Sequence, residues 1–176
     1  LAVAERHERG RLVARRIRSG DAALFREVRL RALATDPESF GSTYEREAAY
    51  PSERWGERAD ADAAGDEATT LVALRDGEAV GLVTSVRNDD DPSRYDVYAM
   101  WVAPDARGAG IGRRLLDDVE AWARAAGARS LWLSVTNRAD AAQGLYRSAG
   151  FEPNGERIES RHTPGLVEIG LVKRLG

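Results

Sequence analysis

The sequence predicts an α+β fold in one domain, with a mixed, mostly antiparallel sheet of about six to seven strands and about four flanking helices. Three observations favour this fold. Two β-rich segments separated by a short polar turn indicate an antiparallel hairpin. A β-α-β pattern follows them, and two further β-rich segments end the chain. The chain of 176 residues has room for one such domain.

The first elements follow from signals near the N-terminus. Val13 and Ile17 are apolar positions in an Arg-rich segment, which indicates a strand. Asp21 is expected to cap the next helix, because its side chain can accept a hydrogen bond from a helical amide. Two shorter helices follow, the second capped by Ser52. The predicted boundaries are an extension over 1–11, a domain over 12–176, a strand over 12–18, helices over 21–34, 43–49 and 52–61, and an acidic loop over 60–66.

Strand signals dominate from residue 69. The turn at Asp76-Gly77 has a sequence that is common in hairpins. A later strand ends before Pro104, which has no amide hydrogen to donate to a sheet. The long helix after it carries apolar residues three or four positions apart and is expected to be capped by Gly127. The predicted boundaries are strands over 69–74, 79–86, 95–102, 131–135, 151–159 and 166–175, and helices over 110–126 and 140–149.

The composition excludes several classes of site. No cysteine is present, which excludes disulfide bonds, thiolate metal sites and cysteine nucleophiles. The two histidines, His7 and His162, are too few for a histidine-rich metal centre, and no metal is expected. No segment approaches the ~20 apolar residues that a membrane-spanning helix needs. Because no signal-peptide pattern opens the chain, the sequence predicts a cytoplasmic location by elimination.

The net charge of −3 is unevenly distributed. Residues 1–31 carry nine arginines against four acidic residues, whereas residues 32–96 carry sixteen acidic residues against six arginines. An Arg-rich arm could contact nucleic acid, but a solvated face of a helix or strand is the favoured interpretation. The acidic middle fits a cationic partner and a solvated surface about equally well.

A glycine-rich turn between a predicted strand and a predicted helix is the strongest local motif. Gly108, Gly110 and Gly112 lie at the start of the helix, where main-chain amides lack internal partners and the helix dipole is positive. Because glycine lets an anion approach the main chain, the turn predicts a diphosphate site, with Arg107, Arg113 and Arg114 adding positive charge. It is neither a Walker loop nor the dinucleotide fingerprint, since its residues and spacing differ. A plain tight turn is the alternative.

Two sequence blocks resemble the GNAT superfamily of N-acetyltransferases. The first has the sequence RGAGIG at 107–112, after a strand that ends in MWVAP at 100–104, and it is similar to the family's acetyl-CoA signature. The second has the sequence AQGLYRSAGF at 142–151 and resembles the family's helix with Leu-Tyr followed by Gly-Phe. Residues 21–40 also resemble many small members. The resemblance therefore covers about residues 12–175 and implies the GNAT fold.

The resemblance implies an acetyl-CoA-dependent N-acetyltransferase. Such an enzyme moves an acetyl group to a primary amine of a small molecule or peptide, by direct attack and without a covalent enzyme intermediate. Acetyl-CoA would be the co-substrate, with its pantetheine arm along the strand that ends at Val102 and its diphosphate on the glycine turn. Many relatives form homodimers. The cofactor-binding residues that the resemblance implies are Met100, Trp101, Val102, Arg107, Gly108, Ala109, Gly110, Ile111, Gly112, Arg113 and Asn137.

The resemblance also implies roles in catalysis and acceptor binding. Tyr146 would donate a proton to the leaving thiolate, because a phenol with a reference pKa of about 10 stays protonated at pH 7. A core aromatic residue that packs beside Phe151 is the alternative interpretation. Phe40 and Tyr98 are expected to bind the acceptor. Further residues expected near the cleft are Tyr44, Trp101 and His162.

The sequence leaves three questions open. The family's asparagine, seven positions before the tyrosine, is Ala139 here. Either Asn137 replaces it through a shifted loop or the contact is absent, and Asp140 is then expected to cap the helix. A non-catalytic acyl-CoA-binding sensor or regulatory module is an alternative function. An amine that is protonated at pH 7 needs a general base, and none of the candidates is favoured: Glu45, Glu47, Asp96, Tyr98 and Glu168.

Overall fold

The computed structural model describes residues 11–65, 67–159 and 163–176, which form seven strands and five α-helices. The predicted extension over 1–11 lies outside these residues except for Arg11. Two 3-10 turns cover Pro37–Ser39 and Pro104–Ala106. The strands are β1 (Leu12–Arg16), β2 (Ala68–Arg75), β3 (Glu78–Arg87), β4 (Arg94–Val102), β5 (Ser130–Thr136), β6 (Glu152–Glu159) and β7 (Val167–Arg174). The helices are α1 (Ala22–Thr35), α2 (Tyr44–Ala48), α3 (Ser52–Ala64), α4 (Ile111–Ala125) and α5 (Asp140–Ser148).

The strands form one sheet in the order β1-β2-β3-β4-β5-β7-β6. Every neighbouring pair is antiparallel except β4 and β5, which are parallel and are connected by α4. The β2–β3 turn has positive φ angles at both Asp76 (54°) and Gly77 (87°), as a tight hairpin turn requires. The predicted mixed, mostly antiparallel sheet is confirmed.

Helices cover both faces of the sheet. The Trp101 indole on β4 donates a hydrogen bond to the Thr35 hydroxyl of α1 at 2.9 Å, whereas the adjacent Met100 side chain lies near Gly112 of α4. Because successive strand residues point to opposite faces, α1 and α4 lie on opposite sides of β4. The largest fully buried side chains between these layers include Trp55, Tyr95, Phe25, Ile17, Leu33, Leu82, Leu115 and Leu131.

The predicted acidic loop over 60–66 is wrong, because α3 continues to Ala64. Its residue Asp62 is buried, and the Thr70 hydroxyl of β2 donates a hydrogen bond to its carboxylate. The composition of this segment resembles that of a loop, but a partner from the sheet makes burial of the acidic side chain tolerable. Gly65 then ends the helix with a φ of 77°.

Three predicted helix caps also differ from the structure. Pro51 occupies the N-cap position of α3, so Ser52 is the first helical residue. Asp140 is likewise the first residue of α5 and makes no capping hydrogen bond. Asp21 does hold the N-cap position of α1, but its carboxylate accepts hydrogen bonds from the Arg15 side chain instead of a helix amide. For Asp21, the contact with Arg15, six residues earlier, replaces the expected capping bond. Within the described ranges, no helix has both the length and the apolar character needed to cross a membrane.

Candidate active site

β4 and β5 separate halfway along β4. Their parallel pairing runs from Arg94–Ser130 to Asp96–Trp132 and stops there. β4 continues from Val97 to Val102 without a partner in β5. A slot therefore opens in the middle of the sheet, where this side of β4 is no longer engaged by the neighbouring strand.

A β-bulge lies on β4 at this opening. Two β4 residues, Ala99 and Met100, lie opposite the single β3 residue Val83. Ala99 has a φ of 54°, which is uncommon for a residue with a Cβ atom. Bulges interrupt the alternation of side chains and bend the strand. The bulge therefore changes the direction of β4 where the slot begins.

A cavity of about 610 Å³, called here the glycine-loop cavity, extends from the slot to the N-terminus of α4. Gly108 and Gly110 line it, and both have left-handed backbones with φ of 77° and 78°. Within the described part of the chain, no main-chain amide from 108 to 113 has a hydrogen-bond partner, and the first helical bond is from the Arg114 amide to Gly110. The turn thus presents free amides to the cavity, which suits an anionic ligand.

Gly112 allows α4 to approach its neighbours closely. A Cβ atom at this position would lie 2.9 Å from Leu145 Cδ2 on α5 and 3.2 Å from Met100 Cε on β4. Both distances are shorter than normal carbon–carbon contacts. The third glycine of the motif therefore serves packing, whereas the first two shape the turn.

The two predicted cationic residues of the turn are engaged by the protein. Arg107 donates from Nε to the Val102 carbonyl at 2.9 Å and from Nη2 to Asp36 at 2.6 Å. Arg113 donates to Asp117 at 2.9 Å and to the Ser148 carbonyl at 3.1 Å. Both side chains line the cavity and are about half exposed. Their main contacts nevertheless brace the turn against neighbouring elements.

A second cavity of about 500 Å³ lies on the other side of Tyr146. We call it the acidic cavity, because its lining includes four acidic residues: Glu38, Asp96, Glu156 and Glu168. Phe40 and Tyr98, the predicted acceptor-binding residues, also line it. The two cavities meet at a shared set of lining residues: Ser39, Met100, Ala139, Ala142 and Tyr146.

Tyr146 is buried on α5 at the junction of the two cavities. Its ring packs edge-on against Phe151, with 6.0 Å between ring centroids. Burial raises the pKa of its hydroxyl, which keeps the group protonated. No described residue forms a hydrogen bond with that hydroxyl. Tyr146 thus packs in the core, as one interpretation predicted, and also borders both cavities, as the other requires.

The structure separates the candidate general bases. Glu45 lines neither cavity. Glu47 is buried and accepts hydrogen bonds from Arg29 at 2.7 and 3.0 Å. Burial alone raises the pKa of Glu47, but the bonds and charge of Arg29 outweigh it and leave the pKa below its usual value. These two carboxylates therefore do not face the junction.

Three candidates do line the acidic cavity: Asp96, Tyr98 and Glu168. Asp96 accepts hydrogen bonds from Arg94 at 2.7 Å and Asn88 at 3.0 Å. Burial and the charge of Asp96 raise the pKa of Tyr98, which keeps the phenol protonated at neutral pH and so unable to accept a proton. Glu168 has no ion pair or side-chain hydrogen bond with any residue in the described ranges. Among the candidate carboxylates, Glu168 is thus the one that lines the acidic cavity without such a partner in those ranges.

Some expected site residues lie elsewhere. Asn137 lines neither cavity, because its side chain accepts from the Val167 amide at 3.1 Å and donates to the Gly165 carbonyl at 3.4 Å. Ala109 and Tyr44 also line neither cavity, and His162 lies outside the described residues. The predicted residues that do line the glycine-loop cavity are Met100, Trp101, Val102, Arg107, Gly108, Gly110, Ile111, Gly112 and Arg113.

The sequence interpretation missed Asp36, which lines the glycine-loop cavity and accepts the hydrogen bond from Arg107. The Asp-Pro pair after the first helix was the only local signal of its position. Thr35 is an adjacent partner, but Trp101 and Arg107 lie more than sixty positions away in the sequence, so no local pattern could identify them.

Comparison with known proteins places this geometry in a family. The family model described as acetyltransferase (GNAT) family matches residues 29–151. An IAA acetyltransferase of Azospirillum brasilense is 41% identical over 85 residues, which are 48% of this chain and 55% of the relative. The chain spans about half the length of the first curated relatives that it matches.

Solved structures share the fold. An acetyltransferase of the GNAT family from Streptococcus pneumoniae has a TM-score of 0.81 and 24% identity, covering 94% of this chain and 100% of that one. The PaiA N-acetyltransferase from Thermoplasma acidophilum, solved with coenzyme A, has a TM-score of 0.69 and 15% identity, covering 94% of this chain and 99% of that one. With a family model matching more than half of its residues, this chain belongs to the acetyltransferase (GNAT) family.

Proposed function

We propose that this chain is an acetyl-CoA-dependent N-acetyltransferase, which moves an acetyl group to a primary amine of a small molecule or peptide. One observation carries the proposal: two cavities, one bordered by free helix amides and one by carboxylates, meet at Tyr146 where β4 and β5 separate. A two-substrate transfer needs such a junction, because the reacting atoms of both substrates must come within about 3.5 Å. The cytoplasmic location stays a prediction of the sequence.

The glycine-loop cavity is the proposed donor site. Its free amides from 108 to 113 suit the diphosphate of acetyl-CoA. Met100, Trp101 and Val102 border the slot, where an extended pantetheine arm can lie beside the unpaired part of β4. Asn137 is left out of the proposed site, because its side chain forms hydrogen bonds with the main chain of Gly165 and Val167, at the start of β7.

The acidic cavity is the proposed acceptor site. Its carboxylates attract the ammonium form of an amine, and Phe40 and Tyr98 supply aromatic surface. Glu168 accepts a proton from this ammonium, and the neutral nitrogen, which then has a free lone pair, attacks the thioester carbonyl. The main-chain amides of the bulge residues Ala99 and Met100 are the proposed donors that stabilise the oxyanion.

Tyr146 is the proposed general acid. A carbon–nitrogen bond forms, the carbon–sulfur bond breaks, and the Tyr146 hydroxyl gives its proton to the leaving thiolate. The proton that the nitrogen sheds as the amide forms then restores the phenol. Its raised pKa keeps this proton in place before the reaction. Tyr146 also lines both cavities, and in the proposed reaction the sulfur leaves where they meet.

Calorimetric titration with acetyl-CoA tests the donor site, with ATP and NAD as controls at the same concentration. We expect selective binding in the micromolar range, about −8 kcal/mol. Gly110→Glu should abolish binding, because it places a side chain and a like charge where the diphosphate binds and strains a backbone with φ of 78°. Absence of binding at millimolar acetyl-CoA would refute the proposal.

Thiol release in the presence of amines tests the transfer itself. A panel of monoamines, diamines and peptides with free N-termini is incubated with acetyl-CoA, and free thiol is measured over time. Amine-dependent release supports the enzyme. Tight acetyl-CoA binding without release for any amine would instead indicate a non-catalytic acyl-CoA-binding module.

A further inference from the structure

A carboxylate lines the cavity that is proposed to receive a diphosphate. Asp36 follows α1 and is only partly exposed at that cavity. A carboxylate beside an anionic ligand is unfavourable unless nearby cations compensate its charge. The position of Asp36 is explained by its contacts, which include an ion pair with Arg107.

Asp36 is the meeting point of two elements that border the donor cavity. Its Oδ2 atom accepts a hydrogen bond from Arg107 Nη2 at 2.6 Å and another from Trp101 Nε1 at 2.9 Å. The Trp101 indole is shared with the Thr35 hydroxyl, also at 2.9 Å. One carboxylate thus holds both the last part of β4 and the residue that precedes the glycine turn.

Arg107 extends this connection to the main chain. Its Nε atom donates to the Val102 carbonyl at 2.9 Å, so the guanidinium links Asp36 to the end of β4. Gly108 follows Arg107 directly and has a left-handed backbone. The direction in which the free amides of the turn point therefore depends on how Arg107 is held.

We propose that Asp36 is a positioning residue for the acetyl-CoA site: it holds Arg107 and Trp101 so that the glycine turn presents its amides to the diphosphate. This inference rests on the proposed function. It assigns Arg107 to bracing the turn in a pair with Asp36, and not to neutralising the ligand as a free cation. Charge-assisted hydrogen bonds of this length are among the stronger ones in proteins.

Asp36→Ala, Arg107→Ala and the double variant test the proposal, with Asp21→Ala as the matched control. Asp21 flanks the other end of α1, also pairs with an arginine at 2.6 Å, is similarly exposed and lines neither cavity. Its substitution changes the net charge equally. Asp36→Asn is the second variant, since it keeps an oxygen acceptor if the alanine variant does not fold.

The dissociation constant of CoA is measured by calorimetry for each variant. We expect Asp36→Ala to weaken binding about tenfold, the size of a lost charge-assisted hydrogen bond, with Asp36→Asn weakened less. Arg107→Ala should raise the dissociation constant by a similar factor. The dissociation constant of the double variant should not exceed that of the single variant that binds CoA less tightly, because both residues act through one contact. The KM for acetyl-CoA should rise with the dissociation constant while kcat changes less than about twofold.

Hydrogen exchange of the unliganded protein is the second measurement. Asp36→Ala should speed amide exchange in peptides covering 101–107, whose amides at Ala103, Ala106 and Arg107 are hydrogen-bonded, and Asp21→Ala should not. If the unsubstituted protein binds CoA and Asp36→Ala binds it equally or more tightly, Arg107 acts as a free cation and the positioning role is refuted. If the unsubstituted protein does not bind CoA, the proposed function itself fails. Additive effects in the double variant would also refute the proposal.

Discussion

Removing the Tyr146 hydroxyl is the most direct test of the proposed chemistry. Tyr146→Phe keeps the ring, and therefore the edge-on contact with Phe151 at 6.0 Å. Since the hydroxyl has no partner within the described residues, no internal hydrogen bond is lost. The melting temperature should change by less than about 2 °C. A general acid contributes about 10²–10⁴ in rate, so kcat should fall by that factor, which is about 2.7–5.4 kcal/mol.

Thiol release at saturating acetyl-CoA measures kcat, and calorimetry measures acetyl-CoA binding separately. Binding should be nearly unchanged, because the hydroxyl acts on the leaving sulfur and not on the diphosphate. The control is Tyr95→Phe, which alters another buried tyrosine that lines neither cavity. Because burial raises the pKa of Tyr146, its deprotonation should not lower kcat up to about pH 9. A Tyr146→Phe variant with unchanged kcat would remove this residue from the mechanism.

Three further predictions concern carboxylates. Glu168→Gln should lower the kcat of amine-dependent thiol release, because an amide does not accept the proton; an unchanged kcat would point to another base. Glu47→Gln should lower the melting temperature by about 6–20 °C in thermal denaturation, because breaking a buried ion pair costs about 3–5 kcal/mol; a change below about 2 °C would contradict this. Since folding lowers the pKa of Glu47, its stabilisation should be complete above the ordinary value of 4.5 and be lost as the pH falls further. The Glu47→Gln variant should show less of this acid-dependent loss in melting temperature.

Most of the fold could be predicted from patterns among residues that are close in the sequence. The Asp76-Gly77 hairpin, the apolar stripe of α4 and the glycine turn each depend on residues close in sequence, so backbone preference and side-chain spacing identify them. The end of α3 was predicted too early, because it depends on a contact with a residue outside the helix. The composition of its acidic end is typical of a loop, but Thr70 of β2 donates a hydrogen bond to Asp62 there.

Local sequence patterns predicted only part of the candidate site. The glycine turn and Tyr146 lie in local motifs, and the structure brings both to the borders of one cavity. Glu47 and Glu168 looked equivalent as bases, because nothing local shows that Arg29 binds the first while the second faces a cavity. Asn137 was predicted to replace the family's asparagine at the cofactor. In the structure its side chain instead accepts a hydrogen bond from the Val167 amide of β7.

The sequence by itself determined the order of elements, the amide-rich turn and the positions of the two family blocks, because these follow from short-range steric and hydrogen-bonding preferences. Only the tertiary structure decided that β4 leaves β5 after Asp96 and bulges at Ala99. It also decided that Asp36 meets Arg107 and Trp101, residues more than sixty positions away. Strand separation and long-range pairing depend on how the layers pack together, and that packing is a property of the whole chain.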